Sequence, residues 1–223
     1  MAKKFLLVSV IAAFATVGAF AQVQMSAGAG FQFDGGRLGG IKLDSDNGMY
    51  MNNLNFGGFL FFDATYAELS VGFGGGPVNT VAIFDGKKIT DKDIVGDSIS
   101  STALDIGLLG KYPIEVGSLT VAPLLGAAYS IVLGQKDKDG NDPNENSDMK
   151  AADFSNLRLQ AGVGTDIAIN DNLYCRLQGL LNYRFPNKFL NDLAKLYNDN
   201  GMDDVKAVGG LGGTFTLAVG YKF

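Results

Sequence analysis

The sequence predicts an all-β fold: eight antiparallel strands closed up-and-down into a barrel that crosses a membrane, with short turns at one end, four long loops at the other and a short helix in the last loop. Three observations predict it. Residues 213–223 alternate without a break: Phe215, Leu217, Val219, Tyr221 and Phe223 against Thr214, Thr216, Ala218, Gly220 and Lys222, a period of two that marks a strand with one oily face. The same alternation recurs along the chain, and the connections between its stretches are alternately short and long. Beyond the N-terminal segment no run is apolar enough to cross a membrane as a helix, so a membrane-resident chain must close its strands into a barrel.

Residues 1–21 read as a secretory signal peptide. Lys3 and Lys4 precede an apolar run, and Ala19-Phe20-Ala21 forms a small-x-small cleavage site before Gln22. The apolar run is too short to span a bilayer, which needs about 20 residues. Residues 22–223 then form one domain. Losing the two leader lysines takes the net charge from −5 to −7, which argues against nucleic acid as a partner. Cys175 is the single cysteine and excludes an intrachain disulfide.

The first strand covers 23–34, with Val23, Met25, Ala27, Ala29, Phe31 and Phe33 on one face and Gln24, Ser26, Gly28, Gly30, Gln32 and Asp34 on the other. Asp44-Ser45-Asp46-Asn47-Gly48 is a turn signal. The second strand, 54–62, has an ambiguous facing because of its Gly57-Gly58 and Phe61-Phe62 pairs, and Asp63-Ala64-Thr65 reads as a turn. The third, 66–74, turns Ala67, Leu69, Val71 and Phe73 to the oily side. A long connection, 75–101, holds a small hairpin over 80–90, because Asp85-Gly86 favours a primed turn. The fourth strand, 102–112, points Leu104, Ile106, Leu108 and Tyr112 outward. The turn 113–118 leads to the fifth, 119–133. The connection 134–153 carries three Lys against five Asp and one Glu. Strands six and seven, 157–169 and 173–185, form a hairpin closed by Asn170-Asp171-Asn172. A last connection, 186–208, precedes the eighth strand, 211–223.

A soluble eight-stranded barrel has the opposite polarity, with an apolar lumen. Three features favour the membrane orientation. Glycines crowd the polar face (Gly28, Gly30, Gly72, Gly107, Gly126, Gly162, Gly164, Gly220), where inside a narrow barrel they make room for large neighbours. Aromatics gather near strand ends: Phe31, Phe33, Phe73, Tyr129, Tyr183 and Phe185 towards the loops, Tyr112, Tyr221 and Phe223 towards the turns, as in two interfacial girdles. The oily face is also larger than a soluble monomer tolerates.

Side chains nearly fill an eight-stranded lumen. Pairing strands six and seven about Asp171 sets Asp166 opposite Arg176, inward and near the turn end. Glu68, Lys111 and Lys222 fall at a similar height, and these five are expected to form an ionic plug, since buried charges need partners. The same register sets Arg158 across from Arg184 near the loop end. Like charges there need a counter-charge: Asp105 or a loop acid, or an anionic ligand. Above the plug, Phe59, Leu109, Leu124, Val132 and Leu180 are candidates to line an apolar pocket.

In the loops, 136–145 partly resembles a calcium loop, but its glycine comes too early and its Glu145 is misplaced; a solvated acidic loop is expected, and neither a metal site nor a cofactor. Phe189, Leu193, Leu196 and Tyr197 recur at helical spacing, predicting a short amphipathic helix over 188–198 that packs on the rim, caps the mouth or contacts another protein. Cys175 faces lipid as a small filler.

The leader, the eight strands and the Tyr221-Lys222-Phe223 ending resemble the small eight-stranded bacterial outer-membrane barrels of the OmpW, OmpX and OmpA-transmembrane kind. The resemblance implies loops outside, termini in the periplasm, and Tyr221 and Phe223 as part of the signal read by the barrel-assembly machinery. It leaves two functions open. One is a narrow conduit for small, mostly hydrophobic molecules. The other is a structural or adhesive protein whose loops meet host surface molecules. Enzymes of similar architecture use histidine, and this chain has none, so catalysis is not expected.

Overall fold

The computed structural model describes residues 24–89, 97–143, 145 and 149–223. The expected leader (1–21), Val23 of the first strand and Thr90 at the end of the small hairpin lie outside the described residues. Ten strands are described: β1 (Met25–Lys42), β2 (Gly48–Ala64), β3 (Ala67–Phe84), β4 (Lys87–Ile89), β5 (Ile99–Lys111), β6 (Ile114–Val116), β7 (Leu119–Lys136), β8 (Asn156–Ala168), β9 (Leu173–Arg184) and β10 (Lys206–Lys222). A short 3-10 turn, Ala151–Phe154, precedes β8, and one α-helix, α1 (Lys188–Asp199), follows β9. Eight of the strands form a ring. Each is antiparallel to its neighbours, and β1 pairs with β10 to close it. Closure removes the unpaired edges that an open sheet would carry. The short strands β4 and β6 fold back onto the ends of β3 and β7.

Sequence dictates which face points where. Phe31, Phe33, Leu60, Leu69, Val71, Phe73, Leu108, Leu125, Leu159, Leu181, Phe215, Leu217 and Val219 are all exposed, while the residues alternating with them turn inward. The expected girdle aromatics, Phe31, Phe33, Phe73, Tyr129, Tyr183 and Phe185 at the loop end and Tyr112, Tyr221 and Phe223 at the turn end, are likewise exposed. Such a belt is soluble only in lipid. In β2 the ambiguity resolves: Gly57, Phe59, Phe61 and Asp63 face in, and Phe56, Gly58, Leu60 and Phe62 face out. Inward glycines supply the room. A Cβ on Gly28 would overlap the Phe61 ring, and one on Gly220 would overlap the Tyr174 ring.

Several strands run past the expected bounds. β1, β3 and β7 each have 18 residues, and β2 and β10 have 17, where about 9–11 cross a bilayer. The excess lies at the loop end. There β1 carries a bulge between Arg37 and Gly39, with Gly39 at φ 149. The hairpin at Asp85-Gly86 has both residues at positive φ, 49 and 70, as a primed turn requires. By contrast β8 and β9 have 13 and 12 residues and stop lower. The 3-10 turn packs against β7, and α1 packs against β1, β10 and the 3-10 turn. Asn187 caps α1, its side chain accepting from the Leu190 N–H at 3.0 Å. Leu190 and Ala194 then bury against Ile41, Met51, Val78 and Val205, with Phe189, Leu193 and Tyr197 packed alongside. So α1 caps the mouth, but Leu190 and Ala194 carry the burial, and Leu196 remains exposed.

Candidate functional site: the filled lumen and its outer cap

The lowest layer is built around Arg176. β9 and β8 place it opposite Asp166, and its Nε and Nη2 donate to the two Asp166 oxygens at 2.7 and 2.6 Å. Its Nη1 donates to Glu68 at 2.7 Å and its Nη2 to Asp63 at 2.7 Å. The guanidinium carbon also lies 4.6 Å from the Phe61 ring centroid and 5.2 Å from that of Tyr174, a cation–π arrangement. Lys111 pairs with Asp63, and Gln178 donates to Glu68 at 2.7 Å. Glu68, Lys111, Asp166 and Arg176 thus share one cluster, with Lys111 joined to it through Asp63. Lys222 does not join them: its ammonium sits over the Tyr174 ring at 5.7 Å, and the acid that completes the cluster is Asp63. Sequence reasoning assigned Asp63 to a turn, whereas β2 continues through Ala64 and aims it inward. Its parity with Phe59 and Phe61 was the available signal.

The middle of the lumen is packed. Phe59, Phe61, Tyr174 and Ala218 form one buried cluster, and Leu109, Ala122, Leu124 and Leu180 another. Of the residues expected to line an apolar pocket, Phe59, Leu109, Leu124 and Leu180 instead pack on each other or on their neighbours; Val132 borders the upper cavity. Four cavities along the lumen measure about 40, 20, 30 and 70 Å³. Ligand pockets are typically ~300–1,000 Å³, so these spaces have the size for water.

In the upper layer, Arg158 and Arg184 are register partners across β8 and β9, and each has its own acid. Arg158 reaches Asp105 at 3.1 Å and Ser130 at 2.7 Å. Arg184 pairs not with Asp105 but with Asp34, and donates to Asn53 Oδ1 at 2.7 Å and to the Arg37 carbonyl at 3.2 Å. Asp34 also accepts from Thr214 Oγ1 at 2.7 Å, Asn182 at 3.0 Å and Asn53 at 3.2 Å. Two cations thus face two carboxylates, and the Arg158 Nε is buried without a hydrogen-bond partner among the described residues. Asp34 was placed on the polar face by its alternation, but nothing local in the sequence links it to Arg184, 150 positions away.

Above this layer lies the cap. Phe154 stacks on Phe189 with centroids 4.6 Å apart, and Asn187 donates to the Phe154 carbonyl at 3.2 Å. Lys188 bridges Asp153 at 3.0 Å and Asp192 at 3.1 Å. The Lys150 backbone N–H, then the Lys188 ammonium, hold the Asp153 carboxyl below its ordinary range, and Asp153 and Asp192 raise Lys188 above its own. In the acidic loop, Asp137 Oδ1 accepts from the backbone of Asp139 and Asn141 at 2.8 and 2.9 Å. Its carboxylate thus closes its own turn.

No family model and no curated protein matches the chain. Among solved structures it is similar to a major outer membrane protein from Thermus thermophilus, at 18% identity and a TM-score of 0.45, over 87% of this chain and 99% of that one. It is similar to the outer membrane protease OmpT from Escherichia coli, at 8% identity and a TM-score of 0.42, over 90% and 97% of the two chains. A third is Ail, the attachment invasion locus protein of Yersinia pestis, at 14% identity and a TM-score of 0.36, over 91% and 100%. These structures are bacterial outer-membrane β-barrel proteins.

Proposed function

We propose that this chain is an integral outer-membrane barrel with a closed lumen, which acts through its outer loops as a structural or surface-binding protein. The apolar belt meets outer-membrane lipid, the long loops lie outside, and both termini lie in the periplasm. The end of β10 with Tyr221, together with Phe223 that follows it, is what we assign to recognition by the barrel-assembly machinery. The chain has no histidine, and we assign it no catalytic role.

One observation carries this reading. Side chains fill the lumen at four levels: the Arg176 cluster, packed Phe59 and Leu180, the Arg184–Asp34 network and α1. A conduit for hydrophobic molecules needs a pocket of their size, and the four lumen cavities described above are of about 20–70 Å³. Planar-bilayer recording on the purified mature chain tests this. Silent insertions are expected; discrete openings in most insertions, or uptake of small solutes by reconstituted vesicles, would reverse the assignment.

A further inference from the structure

We propose that the outer face of the cap carries a docking groove for a basic peptide segment of another protein, one with a large apolar side chain flanked by Lys or Arg. The inference rests on the surface-acting reading above and gives it a site and a partner chemistry.

The groove lies between α1 and the segment before β8. Met149, Phe189, Leu193 and Leu196 wall it, Asp153 and Asp192 stand at its edge, and its volume is about 300 Å³. That exceeds every lumen cavity described above and enters the range of ligand pockets, roughly 300–1,000 Å³. Its floor is held in place: Phe189 is stacked on Phe154, and Lys188 ties α1 to Asp153. A pre-set floor lowers the ordering cost of binding. Its outer wall is open, with Leu196 58% exposed, although α1 has another stripe, Leu190 and Ala194, to bury in the mouth.

Charge chooses the occupant. Asp192 and Asp199 stand at i−4 and i+3 from Leu196, on one helix face. The Lys188 ammonium is shared between Asp153 and Asp192. Across residues 134–153 and 186–208 there are six Lys against nine Asp and one Glu. An apolar slot within an acidic rim repels anionic lipid headgroups and attracts cationic chains. It matches the usual anatomy of an anchor side chain in a pocket with a polar rim.

The test uses the full mature barrel in zwitterionic nanodiscs, with labelled Leu and Met methyls. It is titrated with the peptides acetyl-Lys-Phe-Lys-amide and acetyl-Glu-Phe-Glu-amide. The basic peptide is expected to move the Leu193, Leu196 and Met149 signals at about tenfold lower concentration than the acidic one. Leu196→Ser should weaken the response to both peptides, and Asp192→Lys should abolish the preference, while the barrel stays folded, since both side chains are exposed. Equal response to both peptides, an undiminished response in the two variants, or shifts driven by protein concentration alone (two copies pairing through the groove) would each overturn the proposal. The bilayer experiment is independent. A silent barrel that ignores the basic peptide rejects the groove and keeps the closed lumen, and a conducting barrel that binds it does the reverse.

Discussion

Replacing Arg176 with Met removes the charge while keeping much of the length. In the parent, the guanidinium donates four hydrogen bonds of 2.6–2.7 Å to Asp63, Glu68 and Asp166, and its side chain is 3% exposed. Without it, three inward carboxylates face each other with Lys111, on Asp63, as their remaining ion-pair partner among the described residues. Removing one partner from a buried ion pair costs about 3–5 kcal/mol, and three acids sharing one cation place this site at the upper end. Arg176→Lys keeps the charge but loses the planar fork, and should cost less. Adding Glu68→Gln to Arg176→Met should recover part of the loss, a coupling of about 0.5–3 kcal/mol. The chain has no Trp, so urea unfolding in vesicles is followed by far-UV circular dichroism and by the folded-to-unfolded band shift on gels. An Arg176→Met barrel within about 0.5 kcal/mol of the parent, the range of ordinary surface changes, would refute the claim that this cluster ties the strands together.

Two further outcomes are expected. Gly220→Leu drives a side chain into the Tyr174 ring and should cost about 1–3 kcal/mol as overpacking, whereas Gly179→Leu, on the lipid face with open space around it, should be tolerated; equal effects in the unfolding assay would contradict the assigned faces. The Asp153–Lys188 clasp should loosen with acid. Asp153 titrates below its unfolded value and Lys188 above its own, so the clasp is complete between the ordinary carboxylate and ammonium ranges. It is lost as pH falls through the lowered Asp153 value or rises through the raised Lys188 value. Proteolysis within α1 that is no faster at pH 3 than at pH 6, with an acid-tolerant protease, would count against the clasp.

Inside the bilayer the fold was legible because lipid enforces alternation: any one-residue slip would put Glu68 or Arg176 into hydrocarbon. Above the bilayer nothing enforces it. The upper parts of β1 and β2 carry Gly35-Gly36, Gly39-Gly40 and Asn52-Asn53, and these read as loop although they pair as strand. Asp166 and Arg176 were legible as partners because a single tight turn fixes their register. Asp63 and Asp34 were not. Asp63 sits where strand and turn signals overlap, and Asp34 meets Arg184 only through closure of the whole ring. The Phe59, Leu109, Leu124 and Leu180 side chains were correctly turned inward, but alternation says nothing of how far they reach, and they meet instead of lining a space.

The barrel's orientation in lipid and the filling of its lumen both depend on which alternate residues touch lipid. Single tryptophans placed at Leu125, Leu181 and Gln160, in vesicles of brominated lipid, measure this directly. Leu125 and Leu181 are outward at 71% and 77% exposure, and Gln160 is inward at 5%. Strong quenching at the first two positions and little at the third is the expected result. Strong quenching at Gln160, with weak quenching at Leu125 and Leu181, would mean the faces are assigned the wrong way round.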